Sequence, residues 1–355
     1  MSGITINGRF MTRKSTGVDR FATELLRAWL PRFGQARSAR AFVPARSRAR
    51  GNTSLSVRIE HVGMLDGHAW EQTELPGHCG DDVLLSLCNT GPIARKRQLV
   101  VLHDASVAAD PATYSFTFRN WNRYLFAGLM RRARMVATVS KFSAAELRKH
   151  IGHRAGAIEV IYGAGEHVLS AEADCRVLKR LNLAGRPYVL AVGSLKPNKN
   201  FMGVARAAAL LEDINVKFVA AGGSDTRVFA RAPVPDDKLV LAGYVTEAEL
   251  RALYENAACF LFPSLYEGFG LPALEAMNCG CPVIASYRAS LPEVCADGAT
   301  YCDPDDPADI ALKVRRILRS RSLREELREA GFARARAFSW NRAAGELEQL
   351  LFGVS

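Results

Sequence analysis

Hydrophobic and polar positions follow a repeating rhythm in the second half of the chain. Short apolar runs of strand length alternate with amphipathic stretches of helical period, the pattern of βα units around a parallel sheet. The runs are YVLAVGS (188–194), VKFVAAG (216–222), KLVLAG (238–243), CFLFPS (259–264) and CPVIAS (281–286). Between two of them, TEAELRALYENA opens at Thr246 with Glu249 three residues on, a capping box that predicts a helix start. Three further helices are predicted near 307–319, 321–336 and 340–352, where Leu and Ala recur among many Arg residues.

The first half repeats the theme less regularly. Strands are predicted at DVLLSL (82–87), QLVVLHD (98–104), MVATVS (135–140) and IEVIYG (158–163). Helices are predicted over 18–30 and 143–150, the second opened by Ser143-x-x-Glu146, and RSARAFVPARSRARG (37–51) reads as an Arg-dense loop. After Gly165 the chain is polar without strand alternation. The pattern therefore predicts a Rossmann-like domain over 1–166, a linker over 167–186, a second such domain over 187–335, and a C-terminal helix, 336–355, packing back on the first domain. A length of 355 residues agrees with two cores, since one core stops growing near about 250–300 residues. Two such domains facing each other leave a cleft between the carboxyl ends of their sheets, where ligands of doubly wound folds bind.

Composition narrows the classes. With 48% hydrophobic and 23% charged residues the chain is too apolar for a disordered one. No apolar run approaches the ~18 residues of a membrane span, and MSGITINGRFMTRKS lacks the apolar core of a secretory signal, so a cytoplasmic chain is expected. Eight scattered cysteines without a CxxC pair read as reduced core residues, and Cys279-Gly280-Cys281 lacks companions for a metal. Trp70 and Trp121 read as core.

Charge adds one more feature. The net charge is +11, and residues 1–166 carry all of it, with 24 basic and 13 acidic residues against 23 of each in the remainder. Nucleic acid is one reading of such an excess, but the Arg-rich loop has no interleaved aromatic residues and no recognition motif accompanies it. The preferred expectation is no nucleic acid, and peripheral contact with the anionic cytoplasmic face of an inner membrane through Arg32, Arg37, Arg40, Arg46, Arg48, Arg50, Arg131, Arg132 and Arg134. An acidic acceptor is the alternative.

The segment PSLYEGFGLPALEAMNCGCPVIAS (263–286) carries the most chemistry. Glu267 precedes Gly268-Phe269-Gly270, and Pro272 suits the first turn of a helix beginning near Leu271. Small residues there let backbone N–H groups approach an anion at the positive helix end. Glu267 and Glu275 would repel phosphate, so they are better suited to accept hydrogen bonds from hydroxyl groups on either side of a diphosphate.

EGFGLPALE followed by AMNCGCPVIAS resembles the donor-binding motif of the retaining GT-B glycosyltransferases of family 4. The resemblance runs along nearly the whole chain, through NGRFMTRKSTGVDRFATELL with Gly17 in the position of the glycine loop, LCNTGPI, VVLHDAS, ATVSKFSAAEL, IYGAGEHV, AVGSLKPNKN, SLPEV and FSW. It implies an α/β GT-B fold of two Rossmann-like domains, and a hexosyltransferase that needs no metal or other cofactor. Its donor would be a nucleotide sugar, GDP-mannose before UDP-sugars or dTDP-rhamnose, and its acceptor lipid-linked or an oligosaccharide, as in surface polysaccharide assembly.

By the same resemblance Glu275 would bind the ribose, Glu267 the donor sugar, and the backbone of Gly268, Phe269, Gly270 and Leu271 the distal phosphate. Lys199 would pair with the diphosphate, Gly243, Tyr244 and Val245 would meet the base, and His103 would face the transferred sugar. Ser194 and Asn198 stand at the two places where the family commonly carries an Arg with the Lys, so either Lys199 and the helix dipole suffice, or a basic residue such as Lys196 or Arg288 substitutes. Asp303-Pro304-Asp305 reads as a turn rather than a metal site. Two rival classes are an NADP-dependent oxidoreductase and the nucleic-acid-binding protein considered above. Gly268-x-Gly270-x-x-Ala273 fits a dinucleotide fingerprint and Arg288 would suit a 2′-phosphate, but Glu267 directly before the glycines would repel a pyrophosphate.

Overall fold

A computed structural model describes the whole chain apart from residues 1–2, 14, 34–38, 48–54, 110–113, 153–155, 195, 224–237 and 355. Arg37, Arg48 and Arg50 lie outside the described residues. The chain forms two compact units, Met1–Gly163 together with Trp340–Ser355, and Ala164–Ser339.

The first unit is built on seven strands, β1 (Ile4–Asn7), β2 (Ala39–Pro44), β3 (Arg58–Val62), β4 (Val83–Ser86), β5 (Gln98–Val101), β6 (Met135–Thr138) and β7 (Ile158–Val160). Their order is β3-β2-β1-β4-β5-β6-β7 and every pair is parallel, with Ile4 of β1 in register with Ala39 on one side and Val83 on the other. β4 and β5 are buried at every position, as a parallel sheet covered on both faces requires. The helix Gly17–Phe33 buries Phe21, Leu25 and Trp29, and packs against the C-terminal helix Trp340–Val354. Phe21 meets Trp340 edge-on at 5.6 Å between ring centroids. That helix thus completes the unit that the N-terminus begins.

Four details differ from the sequence reading. β2 runs through the segment expected to be an Arg-dense loop, and residues 41–44 of it are buried. The helix Lys141–Ile151 is capped by Ser140, whose hydroxyl accepts from the Ser143 amide; Ser143 itself is buried in the first turn and cannot be the cap. Trp70 is fully buried and donates to the Val62 carbonyl, whereas Trp121 is only partly covered. All eight cysteines are free thiols, but Cys175 is exposed and Cys279 half-buried, so six rather than eight belong to the core.

The second unit holds β8 (Tyr188–Val192), β9 (Lys217–Ala221), β10 (Leu239–Gly243), β11 (Cys259–Phe262), β12 (Val283–Ser286) and β13 (Ala299–Cys302) in the order β10-β9-β8-β11-β12-β13, all parallel. This is the doubly wound order, with its reversal between β8 and β11. Val189, Phe218, Leu261, Ile310 and Val314 lie in its core. Residues 164–186 belong to this unit and carry elements of their own, a short 3-10 turn Glu166–Ser170 and the helix Arg176–Arg180. The Thr246–Glu249 capping box is present in both directions, at 3.2 and 2.8 Å. Among the described residues no helix is long and apolar enough to cross a membrane.

Candidate functional site

The carboxyl ends of β8 and β11, on either side of the strand-order reversal in the second unit, are where a doubly wound sheet holds its ligand. β8 leads into the 3-10 turn Pro197–Lys199, and β11 leads into Glu267 and the helix Leu271–Asn278. The tips of the neighbouring strands are cleared by glycines. A side chain at Gly222 would come within 2.7 Å of the Gly193 carbonyl oxygen, and both residues hold positive φ. The Gly222 amide donates to the Gly243 carbonyl at 2.7 Å, so Gly193, Gly222 and Gly243 form one smooth edge. Ser194 and Tyr244 are exposed beside it and Val245 is half-buried.

Lys199 reaches from this edge to Glu267, with Nζ 2.5 Å from Oε1, and lies 5.4 Å from the Phe262 ring centroid. Both partners are largely covered, so the pair forms a neutral unit at the mouth of the helix. This pairing offsets the Glu267 charge that would otherwise repel a phosphate. Gly270 takes φ 108° as the helix N-cap and supplies no side chain to it, leaving the cap to backbone groups. The loop is pinned from behind, where the buried Ser290 hydroxyl lies 3.0 and 2.8 Å from the carbonyls of Glu267 and Phe269. Asn198, at a position where a cation was expected, is a clamp: its amide donates to the Tyr266 carbonyl and its own carbonyl accepts from Leu265. Of the two substitutes, Arg288 is paired with Asp305 at 2.5 Å and Lys196 is exposed. The Asp303-Pro304-Asp305 turn therefore serves an arginine.

Glu275 sits one turn inside the helix and is 8% exposed. His167 Nε2 lies 3.0 Å from Oε1 and the Tyr254 hydroxyl donates to Oε2 over 3.1 Å. Burial and the Glu275 charge push the Tyr254 hydroxyl well above its usual range, so it stays a donor. Gly165 makes the first contact possible, because a Cβ there would stand 2.4 Å from the Leu274 carbonyl carbon and 2.6 Å from the Glu275 nitrogen. His167 and Tyr254 were not singled out by sequence reasoning; they stand 108 and 21 residues from Glu275, and no local spacing links them.

In the first unit, His103 follows β5, is buried, and stacks edge-on against Phe21 at 4.9 Å. Its Nε2 is 2.8 Å from the Leu87 carbonyl, which can only accept, so Nε2 carries the hydrogen and Nδ1 is left as an acceptor. Burial lowers its pKa and keeps the ring neutral. Its backbone amide donates to Asn89, a residue at φ 64°. Gly17 is the first residue of its helix, with open space around it. A second charged cluster escaped sequence reasoning. Glu71, fully buried in a π-helical turn (Trp70–Glu74), accepts from Asn7 and Thr90 at 2.7 Å each and faces Arg9 at 3.4 Å. Burial pushes its pKa up, but hydrogen bonds from His68, Asn7 and Thr90 and the Arg9 charge bring it below the usual carboxylate value. No group of three or more metal-ligating side chains occurs among the described residues.

The strand-order reversal of the second unit gathers a lysine, a helix start without a side-chain cap and two carboxylates, a set of groups able to bind an anionic, hydroxyl-rich ligand. Comparison with known proteins specifies the class. Residues 178–334 match the model of the glycosyl transferases group 1. The chain is 32% identical over 263 residues to the O-antigen chain mannosyltransferase B of Escherichia coli, covering 70% of this chain and 68% of that protein. Among solved structures, the sucrose-phosphate synthase of Thermosynechococcus elongatus superposes with a TM-score of 0.79 at 20% identity over the full length of both chains. Anabaena HepE, solved with UDP and glucose, gives 0.78 at 17% identity over 99% of each. The chain belongs to the group 1 glycosyltransferases, and its two parallel-sheet units are those of the GT-B fold.

Proposed function

We propose that the protein transfers a hexose, mannose foremost, from a nucleoside diphosphate sugar to a lipid-linked or oligosaccharide acceptor in the assembly of a surface polysaccharide, with retention of anomeric configuration. The observation that carries this reading is the pairing of Lys199 with Glu267 beside the start of the helix Leu271–Asn278, with Glu275 held one turn further in. The likeness to an O-antigen chain mannosyltransferase supports mannose as the sugar, and HepE supports a nucleoside diphosphate as the carrier.

In this reading Lys199 moves from Glu267 toward the diphosphate as the donor binds, and the first-turn amides share its charge. Bond breaking at the anomeric carbon leaves negative charge on the departing phosphate and positive charge on the sugar ring. Preorganised donors of this kind are worth about 3 kcal/mol each at a developing charge. With a cation and a helix end already at the phosphate, the reaction is proposed to need no divalent metal. Glu267, freed of Lys199, accepts from sugar hydroxyls, and Glu275 offers the ribose the lone pairs that His167 and Tyr254 do not occupy. His103 contributes a neutral ring whose free Nδ1 accepts a hydroxyl hydrogen. Incubation with GDP-mannose and a lipid-linked oligosaccharide tests the proposal: a product carrying one added α-linked hexose is expected from this α-linked donor, and a β-linked product would reject retention.

A further inference from the structure

Outside both candidate sites, exposed apolar side chains collect in one place. Six large hydrophobic side chains are exposed among the described residues of the first unit, Met64, Leu65, Phe116, Phe118, Tyr124 and Phe352. Five of them belong to the helix Phe116–Arg132 and to the turn beside it. The edge contact of Trp121 with His68, at 5.5 Å, holds the 64–68 segment against that helix.

Phe116 and Tyr124 are 71% and 64% exposed, two turns apart on the outward face. Met64 is 68% exposed. A folded chain gains by burying such rings, and single exposed apolar residues are ordinary, but five gathered at one helix mark a surface that something covers.

The charge on the same helix says what. No acidic residue occurs from 111 to 145, while Arg119, Arg123, Arg131, Arg132, Arg134 and Lys141 fall within that stretch. Arg119 lies over the Phe116 ring at 5.5 Å, and Arg131 and Arg132 spend one nitrogen each on backbone carbonyls. None of Arg119, Arg123, Arg131 and Arg132 has a carboxylate partner among the described residues, and Arg123, Arg131 and Arg132 are exposed. Exposed aromatic rings between unpaired arginines match a bilayer interface, where rings enter the headgroup layer and guanidinium groups meet phosphate. A protein partner of opposite charge would be recognised by the arginines, but would not call for rings exposed along a helix free of acids.

We propose that the outward face of the helix Phe116–Arg132, with Met64 and Leu65, is the surface by which this protein docks on an anionic lipid bilayer. This deepens the proposed function, on which it rests, by placing the enzyme where a lipid-linked acceptor resides, and it narrows the expected membrane contact to the part that holds Arg131 and Arg132. Arg40 is engaged by Asp82 at 3.1 Å and Arg32 lies near Glu348 at 3.8 Å, so neither is among the free cations of the docking face.

The test is co-sedimentation of the purified full chain with phosphatidylcholine vesicles with and without phosphatidylglycerol, at low and high salt. Binding is expected only with phosphatidylglycerol and is expected to weaken with salt. Neutralising Arg123 and Arg131 together (Arg123→Gln, Arg131→Gln) should weaken it roughly 25-fold, at about 5-fold for each arginine. Phe116→Ser with Tyr124→Ser should abolish the binding that survives at high salt, with the thermal midpoint unchanged because both rings are already exposed. Arg176→Gln with Arg321→Gln, which removes the same charge from the second unit, should leave binding intact. Failure to bind, equal binding to neutral vesicles, or equal loss in the second-unit control would each overturn the proposal. A concentration-dependent dimer dissolved by Phe116→Ser with Tyr124→Ser would also overturn it, by assigning the face to a second copy of the chain. Sugar transfer to a short water-soluble acceptor should be unaffected in all three variants; loss of transfer in the wild-type chain would reject the proposed reaction without bearing on docking.

Discussion

Replacing Gly165 by alanine probes how the second unit builds its site. Gly165 has φ −110°, which any residue adopts, so alanine brings no backbone strain and its effect is purely steric. Its Cβ would stand 2.4 Å from the Leu274 carbonyl carbon, 2.6 Å from the Leu274 oxygen and 2.6 Å from the Glu275 nitrogen. These are backbone atoms inside a helix and cannot rotate away. The turn Glu166–Ser170 must therefore retreat by about 1 Å, which lengthens the 3.0 Å contact between His167 and Glu275 beyond hydrogen-bond reach. Overpacking of this kind costs about 1–3 kcal/mol, and the lost hydrogen bond to a charged group adds about 1.5 kcal/mol. Near 3 kcal/mol in total corresponds to a fall of about 6–12 °C in the unfolding midpoint of a unit this size. With one carboxylate oxygen no longer held, donor affinity should drop by about tenfold. Differential scanning calorimetry and titration with the donor measure both quantities. Gly77→Ala is the control, because nothing lies within 4 Å of its Cβ and its φ is ordinary; it should change stability by less than about 1 kcal/mol. An unchanged midpoint and unchanged donor affinity in Gly165→Ala would refute the idea that close approach at this glycine sets the site.

Substitutions at Glu275 should separate fold from function. Glu275→Gln keeps an oxygen for the Tyr254 hydroxyl and should lose donor affinity with a modest loss of stability, whereas Glu275→Ala strands Tyr254 and His167 and should cost about 2–4 kcal/mol by urea unfolding. Tyr254→Phe should raise KM for the donor with little change in kcat if the hydroxyl acts through Glu275. Acid stability should follow two groups whose pKa values are lowered on folding, His103 and Glu71. In each case the unfolded chain takes up protons first, so stability present above the unfolded pKa is lost as pH falls through the folded one. Urea midpoints should therefore decline below about pH 6.5 and again below about pH 4.5, and His103→Gln should flatten the first decline.

Much of the second unit is legible in the sequence because its strands are buried on both faces and read as unbroken apolar runs. β8, β11 and β12 fall within segments 188–194, 259–264 and 281–286, and the Thr246–Glu249 box forms as its spacing implies. The opening strand ITIN is only four residues long and β2 is flanked by arginines, so neither shows the length or alternation that identifies a strand. The helix Phe116–Arg132 escaped detection because its aromatic residues spread around the axis, five of the large side chains on it or beside it being exposed. The Ser143-x-x-Glu146 pattern yields to Ser140, since the helix begins one residue after it. At the site, the residues on the β11 turn could be read locally, because a glycine-rich turn before a helix carries its chemistry in its spacing. The groups that hold them could not: Asn198, His167, Tyr254 and Ser290 act through contacts made only when distant strands align.

The central claim is that Lys199 and the start of the helix Leu271–Asn278 receive the diphosphate of a nucleotide sugar. Calorimetric titration of the wild-type chain and of Lys199→Ala with GDP-mannose, UDP-sugars and dTDP-rhamnose tests it most directly. One nucleotide sugar should bind the wild-type protein and bind Lys199→Ala at least tenfold more weakly, the loss of one charge-assisted contact of about 1.5–3 kcal/mol. Equal affinity in the two proteins, or no binding of any nucleotide sugar to the wild-type chain, would contradict the account.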